Sequence, residues 1–291
     1  MEICKNKNIK ICVAGLGIIG GSICLSLKRA QYEVFGWNRS QLPREYALNN
    51  GVIDGVAEDF ENYDVVFVAL PPEATVDFIL NNRFKNGAVV ADICGIKKPI
   101  EAAVCAEQRG FHYVGTHPMA GKEVSGIESA CADLFDNASM VIAKNAETHT
   151  ASLETVRTLT KEMGFKYIVE CSAETHDKKI AYTSQLAHIV SNAYVKDEDL
   201  DCCLGFTGGS FQDMTRIAGV DENMWASLYL GNAENVSGKI SSLINSLHEI
   251  KSAIDANDKN KLVEILAEGR KLFETSKKIT QSADISVVKL K

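Results

Sequence analysis

Residues 9–20, Ile-Lys-Ile-Cys-Val-Ala-Gly-Leu-Gly-Ile-Ile-Gly, constrain the fold more than any other stretch of the chain. A β-branched apolar run too short for a helix ends in a glycine loop, and an apolar segment over 22–30 follows without a break. That order predicts a buried strand, a tight turn and a helix. Gly15, Gly17 and Gly20 have the G-x-G-x-x-G spacing. The first glycine permits the turn, the second lets backbone approach a pyrophosphate, and the third lets the helix pack on the strand. The helix N-terminus then presents unpaired N–H groups and a positive dipole end to phosphates. Between a strand and a helix near the start of a 291-residue chain, the motif predicts a dinucleotide site at Gly15, Leu16, Gly17, Ile18, Ile19 and Gly20.

Strand and helix signals alternate from there. A second strand is predicted over 33–36. The residue after it normally meets the adenosine ribose, where a carboxylate selects NAD. Here the position holds Asn38, followed by Arg39 and Ser40. A neutral amide beside a guanidinium and a hydroxyl suits a 2′-phosphate, so NADP is the expected cofactor, with NAD possible. A short helix over 44–49 closes at Gly51. A buried strand over 64–70 breaks at Pro71-Pro72, which places Leu70 and Pro71 at the ligand crevice. Further elements are a helix over 73–81, a strand over 88–92, a helix over 97–108 and a strand over 111–115 that delivers Thr116-His117-Pro118. A strand over 140–143, a helix over 150–163 and a last edge strand over 166–169 complete the alternation. After Cys171 only helices are predicted: one long helix over 172–195 with Ser172 as N-cap, then 213–217, 222–230, 233–254 and 259–273, and a frayed tail from 282. The fold class expected is α/β, an N-terminal Rossmann-type doubly wound, mostly parallel sheet with a C-terminal all-helical domain. The division falls at 1–170 and 171–291.

Composition narrows the partners. A net charge of -7 argues against nucleic acid, which wants a basic face, but permits a local basic pocket for a small anion. Nine cysteines (4, 12, 24, 94, 105, 131, 171, 202 and 203) form no C-x-x-C pair, and several lie in apolar runs. They read as reduced thiols of a cytoplasmic protein rather than a metal site. Neither a signal-type apolar region nor a run of membrane-span length is visible.

Three segments carry chemistry. His117 sits between a strand end and a Pro–Gly turn, at the edge where the cofactor lies, and histidine is the usual general base near neutral pH. Ser184 and His188, four apart, share one face of the long helix. A glycine turn at Gly208-Gly209 leads to Asp213 and Arg216, and a guanidinium suits bidentate binding of a carboxylate.

Taken together, Gly15 to Ser22, Asp92 to Lys97, His117-Pro118-Met119-Ala120-Gly121, His176-Asp177 with Ser184 and His188, and Phe211 to Ala218 followed by Met224-Trp225 make the chain resemble the prephenate dehydrogenase family, which includes arogenate and cyclohexadienyl dehydrogenases. The resemblance covers both domains. It implies oxidative decarboxylation of prephenate with a nicotinamide cofactor, in tyrosine biosynthesis. His117 would withdraw the ring-hydroxyl proton, and Arg216 would anchor a substrate carboxylate. Ser184, His188, Lys122 and Glu123 would line the substrate pocket, and the helical domain would form a homodimer. Two positions depart from the family pattern. Gly95 stands where the family often has a serine that hydrogen-bonds the histidine. Ser184-Gln185-Leu186-Ala187-His188 replaces the usual Ser-His-Leu-Pro-His, a change that bears on the choice between prephenate and arogenate. With the sequence closing soon after the helices, no appended regulatory domain of the kind some relatives carry is expected. The rivals are an arogenate dehydrogenase, a β-hydroxyacid dehydrogenase using Lys178 or Lys179, and a cofactor-sensing protein without catalysis.

Overall fold

The structure is a computed structural model that describes residues 8–122, 124–282 and 287–289. Its strands are β1 (Ile11–Ala14), β2 (Val34–Trp37), β3 (Gly55–Val56), β4 (Val65–Val68), β5 (Val89–Asp92), β6 (His112–Pro118), β7 (Ser139–Ala143), β8 (Tyr167–Cys171) and β9 (Val287–Lys289). They form one sheet in the order β3-β2-β1-β4-β5-β6-β7-β8-β9. Every neighbouring pair is parallel except β6 with β7, which is antiparallel. The strand order reverses between β1 and β4, and the crevice at such a switch point is where doubly wound folds bind ligands.

The sheet is covered on both faces, which is why its strands read as continuous apolar runs. Ile11 and Val13 of β1 with Val65 and Phe67 of β4 face one core, together with Ile23 and Leu27. The alternate residues Cys12, Ala14, Val66 and Val68 face the other, with Phe78, Ile79 and Ile100. The covering helices are α1 (Ile18–Arg29), α2 (Gln41–Asn49), α3 (Pro72–Asn81), α4 (Lys98–Val104) and α5 (Thr150–Glu162). Beyond β8 come α6 (Ala173–Ile180), a π-helical turn (Ala181–Gln185), α7 (Leu186–Tyr194), α8 (Gly209–Thr215), α9 (Glu222–Gly231), α10 (Ala233–Asp255) and α11 (Lys259–Ser282). The Ser172 hydroxyl accepts from the Thr175 N–H at 3.1 Å and caps α6 as its sequence predicts.

Several expectations are corrected. The helix expected over 97–108 stops at Val104. The single helix expected over 172–195 contains the π turn, which absorbs one extra residue. The strand expected over 166–169 is not the sheet edge, because Val287–Lys289 pairs with β8. The tail expected from 282 therefore includes a strand: two β-branched valines satisfy backbone groups that β8 would otherwise leave open. Residues 283–286 and 290–291 of that tail lie outside the described residues, as do Cys4 and Glu123.

The three loop glycines are needed for different reasons. Gly15 has φ +101, and a Cβ on it would lie 2.1 Å from the Ala69 carbonyl oxygen. A Cβ on Gly20 would lie 1.8 Å from the Gly15 carbonyl oxygen. A Cβ on Gly17 would meet nothing within 4 Å. Thus Gly15 and Gly20 serve the backbone's approach to itself, while Gly17 leaves open space above the α1 N-terminus. Gly20→Ala is expected to lower stability by at least about 2 kcal/mol, since neither conflicting atom can move alone. Gly17→Ala should unfold like wild type in a thermal melt yet bind a dinucleotide more weakly by calorimetry.

Candidate active site

The site is built where β5 and β6 end against the helical region. Gly17 caps α1 without a side-chain hydrogen bond, and the first turn holds no acidic residue. Its N–H groups and dipole are therefore available to an anion. Leu16 is buried, whereas Ile18 and Ile19 are half-buried. The loop is fastened to the end of β2: the Leu16 N–H donates to Asn38 Oδ1 at 3.0 Å, and Asn38 Nδ2 donates to the Ser40 carbonyl at 3.4 Å. Arg39 and Ser40 are exposed, and Ser40 stands at the N-cap of α2 without a side-chain cap hydrogen bond. At the end of β4 the Leu70 carbonyl accepts from the Thr75 hydroxyl at 2.9 Å, and Pro71 caps α3.

His117 lies inside β6 rather than after it, paired with Val141 of β7. Its Nδ1 is 2.8 Å from His176 Nε2, and His176 Nδ1 is 2.7 Å from Asp177 Oδ1. The Asp177 carboxylate also accepts the backbone N–H groups of Lys97 at 2.8 Å and Lys98 at 2.9 Å. These contacts fix the proton positions by elimination. Backbone N–H groups only donate, so Asp177 accepts throughout, and His176 Nδ1 carries a hydrogen toward it. His176 Nε2 is then an acceptor and takes the hydrogen on His117 Nδ1. What remains is a lone pair on His117 Nε2. Burial is the largest cause holding His117 well below the usual histidine range, with His176 and Lys97 pushing the same way. His176 is also lowered, by burial first, against the opposing pull of Asp177. The result is a neutral imidazole with its free nitrogen set to accept a proton.

The chain's surroundings are apolar on one side. A Cβ at Gly95 would lie 3.8 Å from His117 Nε2 and 3.3 Å from Leu228 Cδ2, so Leu228 of α9 covers the place a side chain at 95 would take. Three residues back on α9, Trp225 packs on His188, with ring centroids 4.0 Å apart. His188 Nδ1 donates to the Ser184 carbonyl at 3.0 Å, leaving its Nε2 as an acceptor. Gln185 is buried and structural: its amide donates to the Leu228 carbonyl at 3.1 Å and accepts from Asn232 at 2.7 Å. Asn232 also donates to the Asp177 carbonyl at 2.8 Å. These bonds lock α9 to α6 and the π turn.

Of the residues singled out in the sequence, His117 and Gly95 come together, and α9 links them to His188 and Ser184. Arg216 stands exposed at the C-cap of α8, which α7 holds through Ser191 Oγ donating to the Met214 carbonyl at 2.6 Å. Lys122 is exposed, with its Nζ 3.1 Å from Cys131 Sγ. Lys178 and Lys179 are both exposed and away from the buried chain, which removes support from a lysine acid/base. Sequence reasoning singled out the segments holding His176, Asp177, Asp92 and Lys97 but gave none of the four a role.

A family model described as the prephenate dehydrogenase nucleotide-binding domain matches residues 23–169, and one described as the prephenate dehydrogenase dimerization domain matches 172–268. A prephenate dehydrogenase of Lactococcus lactis is 30% identical over 280 residues, covering 90% of this chain and 76% of that protein. A cyclohexadienyl dehydrogenase of Zymomonas mobilis is 25% identical over 275 residues, covering 90% of this chain and 94% of that one. The crystal structure of the Aquifex aeolicus prephenate dehydrogenase with hydroxyphenyl propionate and NAD+ superposes with a TM-score of 0.80 at 27% identity, covering 92% of this chain and 98% of that one. A nucleotide-binding sheet with its switch-point crevice, followed by a helical region that reaches back to hold a buried histidine, thus meets its match along nearly the whole sequence, and the chain belongs to the prephenate dehydrogenase family of oxidoreductases.

Proposed function

We propose that this protein oxidatively decarboxylates prephenate to 4-hydroxyphenylpyruvate, with NADP as the preferred cofactor, in the cytoplasm, a compartment that suits the free thiols of its described cysteines. The observation that carries the reading is the lone pair fixed on His117 Nε2 by the His176–Asp177 chain. The residues present fit a nicotinamide dinucleotide: the space over Gly17 is open, and the α1 N-terminus holds no competing carboxylate. A bound nicotinamide would supply the hydride acceptor for the carbon bearing the ring hydroxyl. His117 accepts a hydrogen bond from that hydroxyl and takes its proton on Nε2. The ring carboxylate leaves as carbon dioxide, and aromatisation of the ring drives the step, so the protein supplies mainly position and a base. The His176–Asp177 chain orients the imidazole and stabilises the imidazolium that forms, as a carboxylate does behind a catalytic histidine elsewhere. In this reading Arg216 pairs with a substrate carboxylate, and Ser184, His188 and Lys122 line the pocket. The dinucleotide half occupies 1–170 with β9 added to its sheet, and the substrate half is the helical region from 171 on.

His117→Asn is expected to keep dinucleotide binding and lose about 10²-fold or more in turnover of prephenate. Asp177→Asn, which disturbs the tautomer order, should lose about 10²–10⁴-fold in kcat. Steady-state rates with prephenate and with arogenate, its amino counterpart, check both. Turnover of arogenate alone would reassign the substrate, and dinucleotide binding without turnover of either would favour a sensor.

The 2′-phosphate of NADP is assigned to Arg39 and Ser40, with Asn38 removing the repulsion a carboxylate would bring. The ratio of kcat/KM for NADP over NAD should exceed one in wild type and fall below one in Asn38→Asp. The aspartate can still accept the Leu16 N–H, so the loop itself survives. A wild-type preference for NAD would refute the role given to Arg39.

The apolar side chains exposed on the long helices support a homodimer. Ile244 (57%) and Leu247 (56%) on α10 with Leu266 (58%) and Phe273 (58%) on α11 are more open than a stable lone domain leaves such residues. Light scattering at micromolar concentration should give twice the 31.7 kDa chain mass.

A further inference from the structure

One buried ionic pair takes no part in the proton transfer described above. Asp92 and Lys97 are both fully buried, and their charged ends meet directly. Asp92 Oδ1 accepts from the Tyr113 hydroxyl at 2.7 Å, and Oδ2 accepts the Cys94 N–H at 2.9 Å. A buried pair of this kind carries a desolvation cost that apolar side chains of equal volume avoid, so stability alone is a weak reason for it. Its placement suggests another. Residues 113, 115 and 117 share one face of β6. Tyr113 meets the aspartate end of the pair. Gly115 has no side chain, and a Cβ there would lie 3.1 Å from Lys97 Cδ, so the lysine stem fills that space. His117 is the next residue on the same face, about 7 Å further along the strand. The backbone N–H of Lys97 also donates to Asp177, at the far end of the histidine chain.

We propose that Lys97 is a positioning residue that sets the proton affinity of His117: its ammonium, anchored by Asp92 beneath β6, keeps the imidazole neutral and ready to accept. The inference rests on the reading of His117 as the proton acceptor. Lys97 depresses the protonation of both His117 and His176, after burial, whereas Asp92 acts in the opposite sense on His176. The pair therefore acts as a dipole. The other ionisable groups around the chain are accounted for. Asp177 is held by two N–H groups and His176. The Cys94 thiol is pushed up to about 12 by burial and by Asp92, and the Tyr113 hydroxyl is raised as well. Glu101 of α4 is turned aside by Asn145 Nδ2, which donates to it at 2.7 Å.

The test removes the pair as a pair, in Asp92→Asn/Lys97→Met, so that no buried charge is left alone. A base must be unprotonated to work, so loss of the nearby ammonium should move the acid limb of the kcat/KM–pH profile upward. The expected shift is about half to one pH unit. Lys97→Arg should restore the wild-type limb. Asp92→Asn alone should move it the other way, and this milder variant carries the test if the double variant does not fold. NMR titration of the His117 ring without substrate gives the same order independently of any reaction. Opposite shifts in the double variant and in Asp92→Asn, each in the same sense by rate profile and by ring titration, support the proposal. Changes in kcat or melting temperature with an unmoved His117 titration overturn it, and a moved titration without turnover of prephenate or arogenate overturns the functional reading instead.

Discussion

The Asp177 carboxylate is the point on which the two halves of the molecule depend. It belongs to α6, yet it receives the N–H groups that open α4, a helix of the sheet half. Those donors would otherwise be orphans at a buried helix start, and a charged acceptor across the boundary satisfies two of them at once. The same carboxylate receives His176 Nδ1. One group thus joins the helical region to the sheet and fixes the direction of every hydrogen in the chain leading to His117. The Asp177 carbonyl is used as well, by Asn232, so α6 is held from both its side chain and its backbone.

Around this point the π turn settles what the long helix can present. His176 and His188 are twelve positions apart, which a regular α-helix would separate by about 120° around its axis. One residue absorbed in the turn reduces that to about 20°, so both histidines face the same side. Gln185, at the end of the turn, is then directed inward to Leu228 and Asn232 and fixes α9. Gln185 thereby ties the π turn to α9.

The apolar surroundings and the buried charges act together on the base. Leu228 fills the space over Gly95, and burial is the largest cause keeping His117 neutral. At the dinucleotide end the logic is reversed, with open space over Gly17 and exposed side chains at Arg39 and Ser40. A charged cofactor needs access and unpaired donors, while a general base near neutral pH needs a dry, fixed setting.

Much of this was legible in the chain itself. The alternation of apolar runs and turns pointed to seven of the nine described strands, all but the short β3 and β9, because buried parallel strands must be apolar on both faces. The glycine spacing determined the phosphate loop, because only glycine tolerates the approach at Gly15 and Gly20. His117 was singled out as following a strand, whereas it lies within β6. Local pattern could not reveal the π turn, since its helical periodicity differs from an α-helix by one residue, nor the pairing of β9, whose partner lies more than a hundred residues away. The partners of Asp177, the space Lys97 occupies beneath Gly115 and the tautomer of His117 were decided by tertiary structure alone. Each depends on groups from separate elements meeting within hydrogen-bond or packing distance, and the order of residues along one strand or helix carries no record of such meetings.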